Sequence, residues 1–271
     1  MDLTNLKDLK ILLEKHGIWA KKRFGQNFLI NRNIVEKIIK TGEVGEKDTI
    51  IEIGPGPGVL TQELCKKAKK VICIEMDREI LPLLEETTSE FHNKEILEQD
   101  GLNYEPNETN YKLIANLPYN IATAIIRSFM MKKNKPSLMV VMTQLEVAEK
   151  MCANPGNMNV LALTIQPFGK PKIAMHVPGS SFYPAPKVTS AILRIEPLDS
   201  PLIPENLREK YFQVIHAAFH QKRKMMAAVV AKNLGREKVE IEDALESCGI
   251  SKTTRPQELS IQNWIDFLKK L

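Results

Sequence analysis

The stretch TIIEIGPGPGVLTQELC, residues 49–65, decides how this chain is read. It opens as a β-branched run of strand character, passes through Gly54, Gly56 and Gly58, and continues with helical period. Glycines at a strand exit let the backbone turn sharply and approach a ligand with no Cβ in the way, while the following helix offers unpaired N–H groups. A dinucleotide-binding loop would space its glycines G-x-G-x-x-G, so the G-x-G-x-G here reads as a cradle for another ligand. The plainer alternative is a tight turn that binds nothing.

The same rhythm repeats outward from this stretch. KVICIEMD (70–77), KEILEQD (94–100), YKLIANL (111–117) and SLMVVMTQ (137–144) have strand character, and the segments after Gly58, Arg78, Ala122 and Gln144 have helical character. Such alternation implies crossover units and a mainly parallel sheet. After Gln166 two more strand-like runs, separated by proline-rich loops, suggest a hairpin that completes a seven-stranded sheet. Past Pro197 the strand signal ends: LDSPLIPEN (198–206) is linker-like, and the helical run that follows breaks at Gly235. The expected organisation is an α/β domain over residues 1–200 and a small all-α domain over 201–271.

The 271 residues, 43% of them hydrophobic, suffice for one sizeable core and a smaller module. No apolar run approaches the ~18 residues of a membrane span, and MDLTNLKDLK lacks the apolar stretch of a secretory signal, so a cytoplasmic protein is expected. Cys65, Cys73, Cys152 and Cys248 include no CxxC pair, which argues against a disulfide framework, a zinc site or any other metal. The net charge of +5 is modest, but it is concentrated. Lys21, Lys22 and Arg23 form one basic knot and Lys222, Arg223 and Lys224 another, suited to a polyanionic partner; each taken singly reads more simply as a solvated face.

Carboxylates follow the glycine loop in order. Glu75 ends the second strand, where an acid accepts hydrogen bonds from a ribose diol. Asp100 ends the third and suits the exocyclic amine of an adenine. Each alone is as easily a solvated strand-end acid, but behind a glycine cradle the pair points to a nucleoside ligand. The fourth strand ends in NLPY (116–119). The Asn116 side-chain oxygen and the Leu117 carbonyl can accept hydrogen bonds from an aromatic amine, localising its lone pair and stabilising the positive charge that develops on attack. Pro118 fixes the turn, and Tyr119 offers a flat face for a base. In SSFYPAPKVTSA (180–191), Phe182 on a proline-stiffened loop offers a second ring; an aromatic tucked into the core is the plainer reading.

The order of these features resembles that of S-adenosylmethionine-dependent methyltransferases of Rossmann-like fold. The specific resemblance is to the ribosomal RNA adenine N6,N6-dimethyltransferases, and it covers nearly the whole chain: KKRFGQNFL (21–29), EIGPGPG (52–58), Glu75, Asp100, NLPYNIAT (116–123), FYPAPKVTSA (182–191), AFHQKRK (218–224) and RPQELSI (255–261). The resemblance implies transfer of two methyl groups from S-adenosylmethionine to each of two adjacent adenosines, in a hairpin loop near the 3′ end of small-subunit rRNA. It implies that Asn27 and Leu29 contact the methionine part of the cofactor, with Gly54 beneath it and Gly56 in the same loop. It gives the ribose to Glu75, the cofactor adenine to Asp100, and the meeting point of cofactor and target amine to Asn116. Tyr119 and Phe182 would sandwich the target base. Lys21, Lys22, Arg23, Lys187, Lys222, Arg223 and Lys224 would bind RNA, with the helical domain gripping it away from the pocket.

The expected partner is small-subunit rRNA within a pre-30S particle, and the protein is expected to act as a monomer. The chain departs from the family pattern at Ala124, and at Met158 and Asn159, where a Tyr-Gly pair is common. Two alternatives stand beside this reading: a large-subunit adenine methyltransferase of the macrolide-resistance type, and a non-catalytic ribosome-assembly factor on the same fold.

Overall fold

The computed structural model describes residues 2–18, 27–221 and 223–271. The chain divides into two compact units, one of residues 1–148 and 172–197, the other of residues 149–171 and 198–271.

The first unit begins with α1 (Leu6–Lys15), β1 (Phe28–Leu29) and α2 (Arg32–Thr41), and continues with β2 (Thr49–Ile53), α3 (Val59–Cys65), β3 (Lys70–Glu75), α4 (Leu81–Thr87) and β4 (Lys94–Glu98). Then come β5 (Tyr111–Asn116), α5 (Ala122–Met131), β6 (Leu138–Gln144) and α6 (Leu145–Met151), whose last turn passes into the second unit, which holds α7 (Val160–Ile165). The chain returns with β7 (Gly169–Val177), β8 (Phe182–Tyr183) and β9 (Ser190–Pro197). Side-chain amides start the first two helices: Asn5 accepts from the Lys7 N–H at 2.9 Å, and Asn31 accepts from that of Ile34.

Seven strands form one sheet in the order β4-β3-β2-β5-β6-β9-β7. The neighbours from β4 to β6 are parallel, and β9 runs antiparallel to β6. Central strands covered on both faces need apolar residues at every position, which is why TIIEI and KVICIE read as continuous runs rather than alternating ones. One face carries Ile50, Val71, Cys73, Val140 and Met142 in a core that also holds Leu9 and Leu12 of α1, Ile38 of α2 and Leu64 of α3. Helix α5 contributes Ile125, Ile126 and Phe129, all fully buried.

From β2 the chain steps outward to β3 and β4, then crosses back to place β5 on the other side of β2. Loops leaving the carboxyl ends of β2 and β5 therefore diverge, and a crevice opens at this switch point. The two late strands expected from the sequence lie together at the sheet's far side, with β9 between β6 and β7. The two-residue pair β1 and β8 forms a small separate sheet, Phe28 opposite Tyr183 and Leu29 opposite Phe182. It was not foreseen, because two residues carry no periodicity.

The second unit, apart from the first residues of β7, is built from helices: α7, then α8 (Arg208–Phe219), α9 (Met226–Leu234), α10 (Lys238–Ser247) and α11 (Ile261–Lys270). Residues 149–171, expected with the first domain, cluster here for reasons of long-range bonding. The N–H groups of Gly156 and Met158 both donate to the Gln257 carbonyl, and the Tyr211 hydroxyl donates to that of Leu163 at 2.8 Å. Met158 is buried, and Asn159 accepts from the Ala162 N–H to start α7, so the pair that departs from the family pattern serves packing and capping.

Candidate active site

A cavity of about 1020 Å³, counting its open mouth, lies at the carboxyl ends of β2, β3, β4 and β5, lined wholly by the first unit. Its floor is the glycine loop. Gly54, Gly56 and Gly58 all have positive φ, at 67°, 58° and 89°. At Gly58 a Cβ would also come within 3.0 Å of Thr87 Oγ1 and 3.1 Å of Leu84 Cδ1. The loop is thus held open as a cradle by glycine conformations that L side chains rarely adopt.

Glu75 braces that loop from the next strand. Its Oε2 accepts from the Gly56 N–H at 3.3 Å, and its Oε1 accepts from those of Met76 and Asp77, each at 2.9 Å. Burial pushes its carboxyl up, and the three N–H groups oppose that only in part. Both lone pairs of Oε1 are taken by these bonds, so one acceptor position, on Oε2, remains for a hydroxyl of a diol. Asp100, at the end of β4, accepts from the Leu102 N–H through Oδ1 at 2.9 Å, which sets the carboxylate at the cavity wall.

At the end of β5, the Asn116 Nδ2 donates to the main-chain carbonyl of Asn27 at 3.2 Å. A carbonyl partner requires the NH₂ arm on that side, which fixes the amide orientation and leaves Oδ1 as the acceptor arm. Tyr119 is half-buried at the same cavity, its hydroxyl sharing a 2.6 Å hydrogen bond with Ser190 Oγ on β9. Burial raises the phenol's affinity for its proton, more than the Ser190 contact lowers it.

The fold therefore gathers Asn27, Leu29, Gly54, Gly56, Glu75, Asp100, Asn116, Leu117 and Tyr119 around one cavity. It does not bring Phe182 there. That side chain is 3% exposed, belongs to the core, and sits opposite Leu29 in the β1 and β8 pair, so the second face expected for a base is not offered by this ring. Lys187, Arg223 and Lys224 are exposed. Lys21, Lys22, Arg23 and Lys222 lie outside the described residues. No cluster of three or more His, Cys, Asp or Glu side chains suited to a metal ion occurs among the described residues.

Sequence reasoning passed over Glu52, which lines the cavity although only 1% exposed. Its hydrogen bond from Thr61 Oγ1 is 2.7 Å long. Burial pushes its carboxyl up to about 8, against the Thr61 contact and with help from Glu75. The signal was present in the sequence: an acid in the middle of the apolar run IIEI.

A crevice at the switch point of a doubly wound sheet is where such folds bind their ligands, and by its structural likeness to rRNA methyltransferases this chain is an S-adenosylmethionine-dependent methyltransferase of Rossmann-like fold. The sequence comparison narrows the class. The family model described as ribosomal RNA adenine dimethylase matches residues 18–271, and the chain belongs to that family. It is 37% identical over 94% of its length to the ribosomal RNA small subunit methyltransferase A of Dehalococcoides mccartyi, covering 89% of that protein. Among solved structures it is similar to a dimethyladenosine transferase from Plasmodium falciparum, with a TM-score of 0.77, 26% identity and coverage of 89% and 95% of the two chains. The 23S rRNA methyltransferase ErmE gives a TM-score of 0.73 at 26% identity, over 90% of this chain and 99% of that one.

Proposed function

We propose that this protein dimethylates the exocyclic N6 amine of two adjacent adenosines in a hairpin loop near the 3′ end of small-subunit rRNA. The observation that carries the proposal is the fixed amide of Asn116, whose oxygen arm accepts no hydrogen bond from the described residues, at a cavity walled by two carboxylates and a glycine cradle.

S-adenosylmethionine, when bound, supplies an electrophilic methyl group on a sulfonium. The chain's residues fit it: Glu75 offers an acceptor to a ribose hydroxyl, Asp100 an acceptor to an adenine amine, and the Gly54 loop close approach of backbone. Asn27 and Leu29 line the same space and would meet the methionine end.

An adenine amine is a poor nucleophile because its lone pair is delocalised into the ring. Asn116 Oδ1 and the Leu117 carbonyl would each accept one of its hydrogens, favour a pyramidal nitrogen and stabilise the positive charge that grows on it. Tyr119 would stack on the base and hold it at the right depth. No strong general base is required, because the alkylated nitrogen becomes acidic and sheds its proton to water. Catalysis then rests on position and electrostatics. To reach such a cavity the adenosine must leave its stack, which favours a looped target in structured RNA.

Arg223 and Lys224 on the second unit, Lys187 on the first, and the basic residues 21–23 and 222 would contact phosphates. We place the reaction on a small-subunit precursor particle in the cytoplasm, with the protein acting as a monomer. No helix among the described residues is long and apolar enough to cross a membrane.

The likeness to ErmE supports a second reading, a large-subunit adenine as the target. Mapping dimethylated adenosines in rRNA from cells with and without the gene decides between them: loss of two adjacent marks near the small-subunit 3′ end is expected. Loss of a large-subunit mark with the small-subunit pair intact would overturn the proposal.

A further inference from the structure

Glu52 is a buried titratable group for which the reaction described above has no use. It sits inside an apolar strand, yet it borders the cavity. The groups around it come from two elements: Thr61 and Cys65 from α3, and Cys73 opposite it on β3 with Glu75 farther along; Lys94 of β4, ion-paired with Glu85, acts on the two cysteines. Among the described residues it accepts hydrogen bonds from Thr61 Oγ1 at 2.7 Å and Cys73 Sγ at 4.0 Å, and both fall on Oε2. Oε1 receives neither. No ion pair to Glu52 occurs among the described residues. A lone carboxylate removed from water is costly, so the ligand-free protein holds this group as the neutral acid.

We propose that Glu52 is the counter-charge for the cationic cofactor: neutral in the ligand-free protein, it gives its proton to solvent when a sulfonium ligand enters the cavity. It takes a proton back from solvent when the cationic ligand departs, so no other reactant is needed. The inference rests on the assignment of the cavity to S-adenosylmethionine.

An opposite charge within ~4–6 Å lowers a carboxyl by about 1–3 pH units, which would bring Glu52 from about 8 to the range of about 5–7. At pH 7 that corresponds to release of about 0.4–0.9 proton per bound cofactor. Glu75 shares the cavity and is also pushed up by burial, so its contribution must be separated.

The test is calorimetric titration of S-adenosylmethionine into the full chain at pH 7 in buffers of different ionisation heat, which reads protons released directly. Wild type is expected to release about 0.4–0.9 proton, and Glu52→Gln, which retains an oxygen acceptor for Thr61, far less. Equal release from both, with both binding, would overturn the inference. Absence of binding by wild type would instead sink the cofactor assignment. Should Glu52→Gln fail to fold, infrared difference spectroscopy of wild type decides: the protonated-carboxyl band should lose about half or more of its intensity on binding. A band of unchanged intensity would refute the role.

Discussion

The hydroxyl pair behind Tyr119 offers a perturbation whose size follows from burial. Ser190 is fully buried, Tyr119 only partly, and their oxygens lie 2.6 Å apart. Tyr119→Phe keeps the ring but strands a buried hydroxyl, which costs about 1–3 kcal/mol. Ser190→Ala strands the phenol instead, but that oxygen is at the cavity edge, where water can replace the partner, so about 0.5–1.5 kcal/mol is expected. Once either partner is gone, removing the other costs little, so the double variant should be about as stable as Tyr119→Phe alone, with a coupling of about 1 kcal/mol. Thermal unfolding reads this as a fall of about 2–4 °C for each kcal/mol. In turnover assays both single variants should keep cofactor affinity and accumulate monomethylated adenosine, because a ring free to tilt no longer sets the depth of the base for the second transfer. Additive losses in the double variant would show that the hydrogen bond does not hold the ring.

Three further outcomes are expected. Glu75→Ala, by removing a buried acceptor, should weaken S-adenosylmethionine binding about 10- to 100-fold by calorimetry, before any effect on the chemical step. Gly58→Ala, at φ 89° with Thr87, Leu84 and Thr88 within 3.1 Å of the new Cβ, should lose about 1–3 kcal/mol in denaturant unfolding and bind cofactor poorly. Glu52 has its ordinary value of 4.5 raised to about 8 by folding, so its contribution is fully present below pH 4.5 and is lost as pH rises through about 8. Ligand-free wild type should therefore lose about 1.4 kcal/mol per pH unit relative to Glu52→Gln across that window, measured as parallel melting curves from pH 5 to pH 8.

Much of this fold was legible because buried parallel strands write themselves as continuous apolar runs: TIIEI, KVICIE and LMVVMTQ each became a strand of the central sheet. The cavity was legible for a related reason. Glycines, acids and an amide at strand ends cannot serve the core, so their order along the chain marked the carboxyl edge where Glu75, Asp100 and Asn116 now meet. What stayed hidden depends on partners far away in sequence. The resemblance gave Phe182 a place against the target base, over the plainer reading of a core ring, but its pairing with Leu29, more than 150 residues earlier, turns it into the core. Residues 149–171 carry no composition signal for membership of the helical unit; that follows from bonds to Tyr211 and Gln257. Glu52 was hidden by its strand, because a period of two says which face a side chain takes and not whether a cavity reaches it.

Everything in the proposed reaction turns on an amide oxygen that persuades an aromatic amine to attack. The direct measurement is mass spectrometry of small-subunit rRNA fragments after incubation with S-adenosylmethionine and either wild type or Asn116→Ala, with cofactor affinity measured on the same preparations. Wild type should yield two neighbouring N6,N6-dimethyladenosines. Asn116→Ala should bind the cofactor and leave the adenosines unmodified. Dimethylation by Asn116→Ala at a rate near that of wild type would contradict the account.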